Sequence, residues 1–270
     1  MNRRLFLSVS GLAAVGTPGF RPLPVEAAQG RWQPDGAATL ARLGVLTPEF
    51  DPVPESEMSA MAPPGVSIHA ARVRRNTAAA FAEPPYIDNA AGQLADLAPK
   101  AVAFAYTSSS YALGAAAEGP LRARLEQRVR GIPVVLTCSA AVEALRALGV
   151  TRVALIHPPW FSDDINARGR EYFRAQGFEV LRCEQIAPAR TFTEVRPEEV
   201  FEWVRGHVPR DAQAVFIGGN GLRAVGVIKA LEAALDRPVL TANQVVFWAA
   251  LQTAKVSVKV PDYGRLFATG

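Results

Sequence analysis

Two short stretches of this chain combine polar groups with backbone that can approach a ligand. Residues 105–111 read AYTSSSY, so Tyr106, Thr107, Ser108, Ser109, Ser110 and Tyr111 follow directly on the apolar run AVAF. Residues 218–221 read GGNG and follow a second apolar run, AVFI. Hydroxyls, together with backbone N–H groups at the start of a helix, hold anions. Glycines let main chain come close to a bound molecule, and Asn220 adds an amide. Thr107, Ser108, Gly219, Asn220 and Gly221 are therefore candidate binding residues for a small carboxylic acid. A phosphate fits less well, because no GxxxxGK[ST] loop is present and GGNGLR does not match GxGxxG. The competing explanation is structural: Thr and Ser cap a helix, and the glycines form a tight turn.

Three side chains near these stretches are candidates for moving protons. Tyr106 opens the hydroxyl cluster, His157 ends the run TRVALIH, and Cys138 ends the run IPVVLTC. Imidazole titrates nearest neutrality of the three. Each also has an ordinary explanation: an aromatic filler, a turn cap and a small buried apolar residue, respectively. A metal site is not expected. His69, His157 and His207 are widely spaced, and no CxxC or HExxH occurs. No cofactor motif is present either, and the two cysteines, Cys138 and Cys183, make no disulfide framework.

Positioning these residues requires a scaffold of strands. Apolar runs at 42–48, 67–73, 101–107, 132–138, 151–158, 178–183, 214–220 and 237–243 alternate with helix-like segments such as SAAVEALRALG, INARGREYFRAQG and LRAVGVIKALEAAL. Uninterrupted apolar strands separated by helices predict parallel sheets covered on both faces. The eight runs fall into two matching sets. LGVLTP parallels VALIHP, FAYTSSS parallels IGGNGLR, and PVVLTCS parallels PVLTANQ. This pattern predicts an internal duplication and an α/β fold of two pseudo-symmetric Rossmann-like lobes. The first lobe is expected over 36–137 plus 245–270, and the second over 138–244. Ligands of such sheets bind beyond the carboxyl ends of the strands, which places the site at the lobe interface.

The composition sets further bounds. The 270 residues carry 29 Lys and Arg against 25 Asp and Glu, a formal charge of +4. Arg3, Arg4, Arg21 and Glu26 lie in the first 27 residues, leaving 26 basic against 24 acidic in the body, a net of +2. That bias is too weak and too scattered for a nucleic-acid partner. Residues 1–27 carry an arginine pair before a modest apolar run and end in small residues, as a twin-arginine-like export signal does. The run is too short for a stable membrane span. A periplasmic or exported location is expected on this basis, a cytoplasmic one otherwise. A homo-oligomer is compatible with the sequence.

The segments TPEFDPVPESEM (47–58), IHAARV (68–73), FAYTSSSY (104–111), VEALRALGVTRVALIHP (142–158), GGNGLRA (218–224) and RPVLTANQVVFW (237–248) together resemble the aspartate/glutamate racemase superfamily. The closer likeness is to its maleate cis-trans isomerase and arylmalonate decarboxylase branch. The resemblance implies cofactor-independent isomerisation or decarboxylation of a small mono- or dicarboxylic acid through an enediolate. It implies that Thr107 and Ser108 hold a carboxylate with the 218–221 loop. It also implies one cysteine per lobe as base or nucleophile, or a second-lobe cysteine alone in the decarboxylase. This chain departs there, with Tyr106 and Gly219 at the two cysteine positions. Asp51 stands where the isomerases carry asparagine, and Trp160 or Phe161 fills the space of a tyrosine expected near the HPPW turn. Arg72 is expected to contribute to the carboxylate site or to pair with Glu55 or Glu57. The rival to an enzyme is an exported carboxylate-binding protein without turnover.

Overall fold

The computed structural model describes residues 36–74, 77–187 and 194–268. The expected export signal over residues 1–27 lies outside these. Eight strands form in chain order: β1 (Ala41–Pro48), β2 (Val66–Val73), β3 (Ala101–Phe104), β4 (Val134–Leu136), β5 (Arg152–His157), β6 (Glu179–Gln185), β7 (Ala214–Ile217) and β8 (Val239–Thr241). The helices are α1 (Val53–Met61), α2 (Tyr86–Ala95), α3 (Thr107–Leu113), α4 (Ala115–Arg128), α5 (Thr137–Ala147), α6 (Asp163–Ala175), α7 (Pro197–His207), α8 (Ile228–Leu235) and α9 (Ala242–Thr253). Every apolar run read from the sequence contains a strand. Both sheets are fully parallel, with the same order: β2-β1-β3-β4 and β6-β5-β7-β8. Among the described residues no helix is long and apolar enough to cross a membrane.

Alternation along the central strands sorts their side chains into layers. Leu43 and Val45 of β1, Ala101 and Ala103 of β3, Val153 and Leu155 of β5, and Ala214 and Phe216 of β7 share one core. The intervening Val102 and Phe104 face α2 and α4 on one side of the molecule. Ile156, Val215 and Ile217 face α7 and α8 on the other. The middle core continues without a break from one sheet to the other, through α5 and α9. Residues 36–270 accordingly form a single compact unit.

In each sheet the chain steps one way from the first strand to the second, then crosses back to the third. The reversal lies between β1 and β3, and again between β5 and β7. Loops leaving those four strands diverge at their carboxyl ends and open a crevice there. Strand lengths correct the sequence reading in detail. β3 stops at Phe104, Tyr106 precedes the first turn of α3, and Thr107 is already helical. Cys138 lies inside α5, not at a strand end. The 218–221 loop does not run into a helix. Leu222 N–H closes a turn on the Gly219 carbonyl at 3.0 Å, a 3₁₀ turn follows at Val225–Val227, and α8 begins only at Ile228. The 218–221 loop therefore approaches the crevice through its glycine backbone and the Asn220 amide, without a helix start behind it.

The two sheets are also tied by one buried polar contact. Tyr111 of α3 packs against His157, Phe161, Tyr172 and Phe173. Its hydroxyl lies 3.0 Å from His157 Nε2. Gly169 and Gly218 make room for the pair. A Cβ at the first would sit 2.7 Å from the Tyr111 ring, and one at the second 2.7 Å from His157 Cδ2. Tyr111→Phe keeps the packing but leaves a buried imidazole nitrogen without a donor. We expect it to lower stability by about 1–3 kcal/mol in urea denaturation.

Candidate functional site

The crevice contains a cavity of about 270 Å³. Its polar wall consists of Asp51 from the loop after β1, Tyr106, Thr107 and Ser108 after β3, and Gly219, Asn220 and Gly221 after β7. Its apolar wall consists of Phe50, Ala78, Trp160, Phe161 and Ile165, with Ser162 at the edge. Seven of the nine residues named from the sequence thus meet in one place. His157 and Cys138 do not line the cavity.

His157 is fully buried behind the site. Asn166 donates its amide N–H to Gln185 and turns its Oδ1 to His157 Nδ1 at 2.7 Å. The imidazole therefore donates from Nδ1 and accepts the Tyr111 hydroxyl at Nε2. Burial holds it neutral, with its pKa down at about 4. A general base must reach its substrate, and this ring reaches only protein. Cys138 is equally buried, with its thiol 3.8 Å from the Thr107 carbonyl. Burial pushes that thiol well above its ordinary value, with the Glu118 charge adding to the rise. It stays protonated and fills space under the site. Tyr106 is the only one of the three proton-moving candidates that faces the cavity. It is half-buried, with its ring 4.7 Å from that of Phe81.

The two polar loops bond to each other. Thr107 donates both its backbone N–H and its hydroxyl to Asn220 Oδ1, each at 2.8 Å. Gly219 N–H in turn donates to Thr107 Oγ1 at 3.1 Å. Asn220 Nδ2 donates to Asn243 Oδ1 at 2.8 Å and to Thr137 Oγ1 at 3.3 Å. Asn243 donates to the Asn220 carbonyl and to Glu57 Oε2, each at 2.8 Å. Glu57 Oε1 accepts the N–H groups of Ala224 at 2.7 Å and Val225 at 3.0 Å. The chain of bonds runs from α1 of the first lobe through both loops. Glu57 thus serves the second lobe, while Arg72 pairs with Glu55 and donates to the Asp51 carbonyl. Arg72 does not line the cavity. Sequence reasoning missed Glu57 and Thr137; their only signal was a place near the carboxyl ends of β1 and β4.

Gly219 is fixed by geometry. Its φ is +87°, and a Cβ there would lie 2.2 Å from Pro158 Cγ. Neither an ordinary L-residue backbone nor a side chain fits. Asp51 is held as firmly: its Oδ1 accepts Val53 N–H at 3.0 Å, while its carbonyl takes Arg72. Among the described residues no group of three His, Cys, Asp or Glu side chains is placed to hold a metal ion.

Comparison with known proteins agrees with this fold. A family model described as arylmalonate decarboxylase matches residues 75–267. The arylmalonate decarboxylase of Bordetella bronchiseptica is 29% identical over 171 residues, which is 60% of this chain and 68% of that protein. A maleate isomerase of Pseudomonas putida is 24% identical over 249 residues, 85% of this chain and 98% of its own. A solved structure of unliganded arylmalonate decarboxylase superposes with a TM-score of 0.74 at 25% identity, covering 85% of this chain and 99% of that one. The maleate-bound maleate isomerase of Pseudomonas putida S16 shares the fold, with a TM-score of 0.77 at 21% identity over 85% and 98% of the two chains.

Two buried groups give stability opposing pH slopes. Burial pushes Glu57 up from 4.5 to about 7, outweighing its three hydrogen-bond donors, and the Asp51 charge adds to the rise. Between pH 4.5 and 7 the unfolded chain loses this proton and the folded chain keeps it. Stability from Glu57 is thus greatest below pH 4.5 and falls by about 3 kcal/mol as pH rises through 7. For His157 the unfolded imidazole takes a proton below 6.5 and the folded one does so only near 4. Its contribution is complete above pH 6.5 and falls by about 3 kcal/mol toward pH 4. Across pH 4.5 to 6.5 the two slopes offset each other. Glu57→Gln is expected to leave the His157 slope exposed, so that the urea midpoint climbs more steeply with pH than in the parent. Parallel curves for the two proteins would show that Glu57 does not titrate in this window.

Proposed function

The chain belongs to the arylmalonate decarboxylase family, and on that premise we propose that it moves a proton at the α-carbon of a small carboxylic acid through an enediolate, without a cofactor. The observation that carries the reading is the meeting of the Thr107–Ser108 loop and the Gly219–Gly221 loop across one cavity. Polar groups fixed in advance on both sides stabilise charge as it develops on carboxylate oxygens. The apolar wall of Phe50, Trp160, Phe161 and Ile165 suits an aryl or branched substituent and keeps water away from the reacting carbon.

Neither cysteine of the resembled enzymes is available, so the proton carrier is Tyr106. In the protonating direction the enediolate electron pair forms a C–H bond with the proton of the Tyr106 hydroxyl. The phenolate left behind regains a proton from water. Where the substrate carries a second carboxyl group, its loss as carbon dioxide leaves the same electron pair on the same carbon. The arginine pair and apolar run within residues 1–27 support a site of action outside the cytoplasm.

The test is proton NMR in deuterated water, with the purified chain and aryl-substituted malonates, maleate and 2-substituted monocarboxylic acids. The expected result is deuterium at an α-carbon or release of carbon dioxide. Tyr106→Phe should lower that rate by about 10²- to 10⁴-fold while ligand affinity holds. Saturable line broadening with no conversion of any acid would make the chain a binding protein instead.

A further inference from the structure

We infer that the groove between the last turns of α9 and the extended chain that follows is a second ligand site, built for an apolar monoanion of the aryl or alkyl carboxylate class. It shares no residue with the crevice and does not rest on the reaction proposed there. Asn243, in the first turn of α9, meets Asn220 beside the crevice, and Gln252 on the groove lies roughly 13 Å further along the helix axis.

The chain makes a walled space at this helix end. α9 closes with two backbone bonds, Lys255 N–H to the Gln252 carbonyl and Val256 N–H to the Leu251 carbonyl, each at 3.0 Å. Lys255 takes φ +54°, the left-handed conformation that turns a chain out of a helix. The residues after it run without helix, and the 3₁₀ turn Arg265–Ala268 contributes Phe267 to the same groove. The resulting cavity is about 340 Å³, larger than the 270 Å³ of the crevice. Trp248, Leu251, Val258 and Phe267 give it an apolar surface, which favours a ligand with an apolar body.

Charge sets the kind of ligand. Lys255 and Lys259 both line the groove, and no Asp or Glu does. Among the described residues neither lysine forms an ion pair, whereas Lys229 is paired with Asp262. Two like charges on one wall repel each other and gain from an anion placed between them. The last carbonyls of α9 oppose that anion little, because those of Ala250, Leu251 and Gln252 are taken by backbone N–H groups.

A leftover donor points the same way. Trp248 Nε1 is buried and meets no acceptor among the described residues. Buried donors are nearly always matched, so one without a partner in the wall of a groove calls for an acceptor from outside the chain. A neutral apolar molecule answers the apolar wall alone. A carboxylate with an apolar body answers the wall, the lysines and the indole together.

The experiment is ¹H–¹⁵N NMR of the purified chain titrated with 1-naphthoate, read at the indole N–H signals. The chain has four tryptophans, and Trp248→Phe and Trp160→Phe assign the two signals that matter. Trp160 lines the crevice, so its signal reports binding there in the same spectra. We expect the Trp248 signal to shift saturably. 1-Naphthamide, with the same rings and no charge, should bind at least tenfold more weakly by that signal. Lys255→Glu combined with Lys259→Glu should weaken naphthoate at Trp248 by tenfold or more and leave any Trp160 response unchanged. Both lysines are exposed, so the double variant keeps the fold. A Trp248 signal that stays still would overturn the inference, as would equal affinities for naphthoate and naphthamide, or for the parent and the double variant. A shift at Trp160 alone would overturn it while leaving the crevice site standing.

Discussion

The site depends on one pair of bonds that crosses between the lobes, from the backbone N–H and hydroxyl of Thr107 to Asn220. It joins the end of β3 to the end of β7 in a place where both partners are buried. Buried donors and acceptors are costly when left unmatched, so each group in the chain from Glu57 to Thr107 holds the next in a single orientation. Glu57 fixes Asn243, Asn243 fixes Asn220, and Asn220 fixes Thr107. Cavity width and loop orientation follow from that order. A pure hydrophobic contact between the lobes would permit many relative settings; directional bonds permit one.

A second consequence is the separation of titration from chemistry. Groups whose titration burial shifts, among them His157, Cys138, Tyr111, Tyr172 and Glu57, lie off the cavity surface. Perturbed pKa values often mark active sites, but here they mark the ties between layers. Tyr111 and His157 join the sheets at the base of the crevice, and Glu57 joins α1 to the far loop. Among the described residues, the cleft wall holds Tyr106 and Asp51 as its ionisable side chains.

Much of this was legible in the sequence because the pattern is periodic. Eight apolar runs in two matched sets were enough for parallel sheets and a doubled lobe, the strand-end rule was enough to bring Tyr106–Ser108 and Gly219–Gly221 together, and the family resemblance added Asp51. What stayed hidden depends on where side chains point. A histidine at the end of β5 looks the same in sequence whether it faces the cleft or the core; Gly169 and Gly218, by leaving space, turn it inward. Glu57 looked like a partner for Arg72 because both are charged and near. Two residues earlier in α1, on another face of the helix, Glu55 takes that role and leaves Glu57 to reach the second lobe. The helical pattern LRAVGVIKALEAAL begins at Leu222 in the sequence, yet it does not settle into α8 until Ile228, after a 3₁₀ turn at Val225–Val227.

The crowding at Gly219 limits what can replace it. A side chain there meets Pro158 Cγ at 2.2 Å, and the backbone sits at φ +87°. A substitution that placed a cysteine at this position would need room from Pro158 and a different local backbone at the same time. Either change alone meets a strained intermediate, so the two are coupled. Change at the cavity is therefore harder at position 219 than at positions whose backbone and surroundings accept an ordinary side chain.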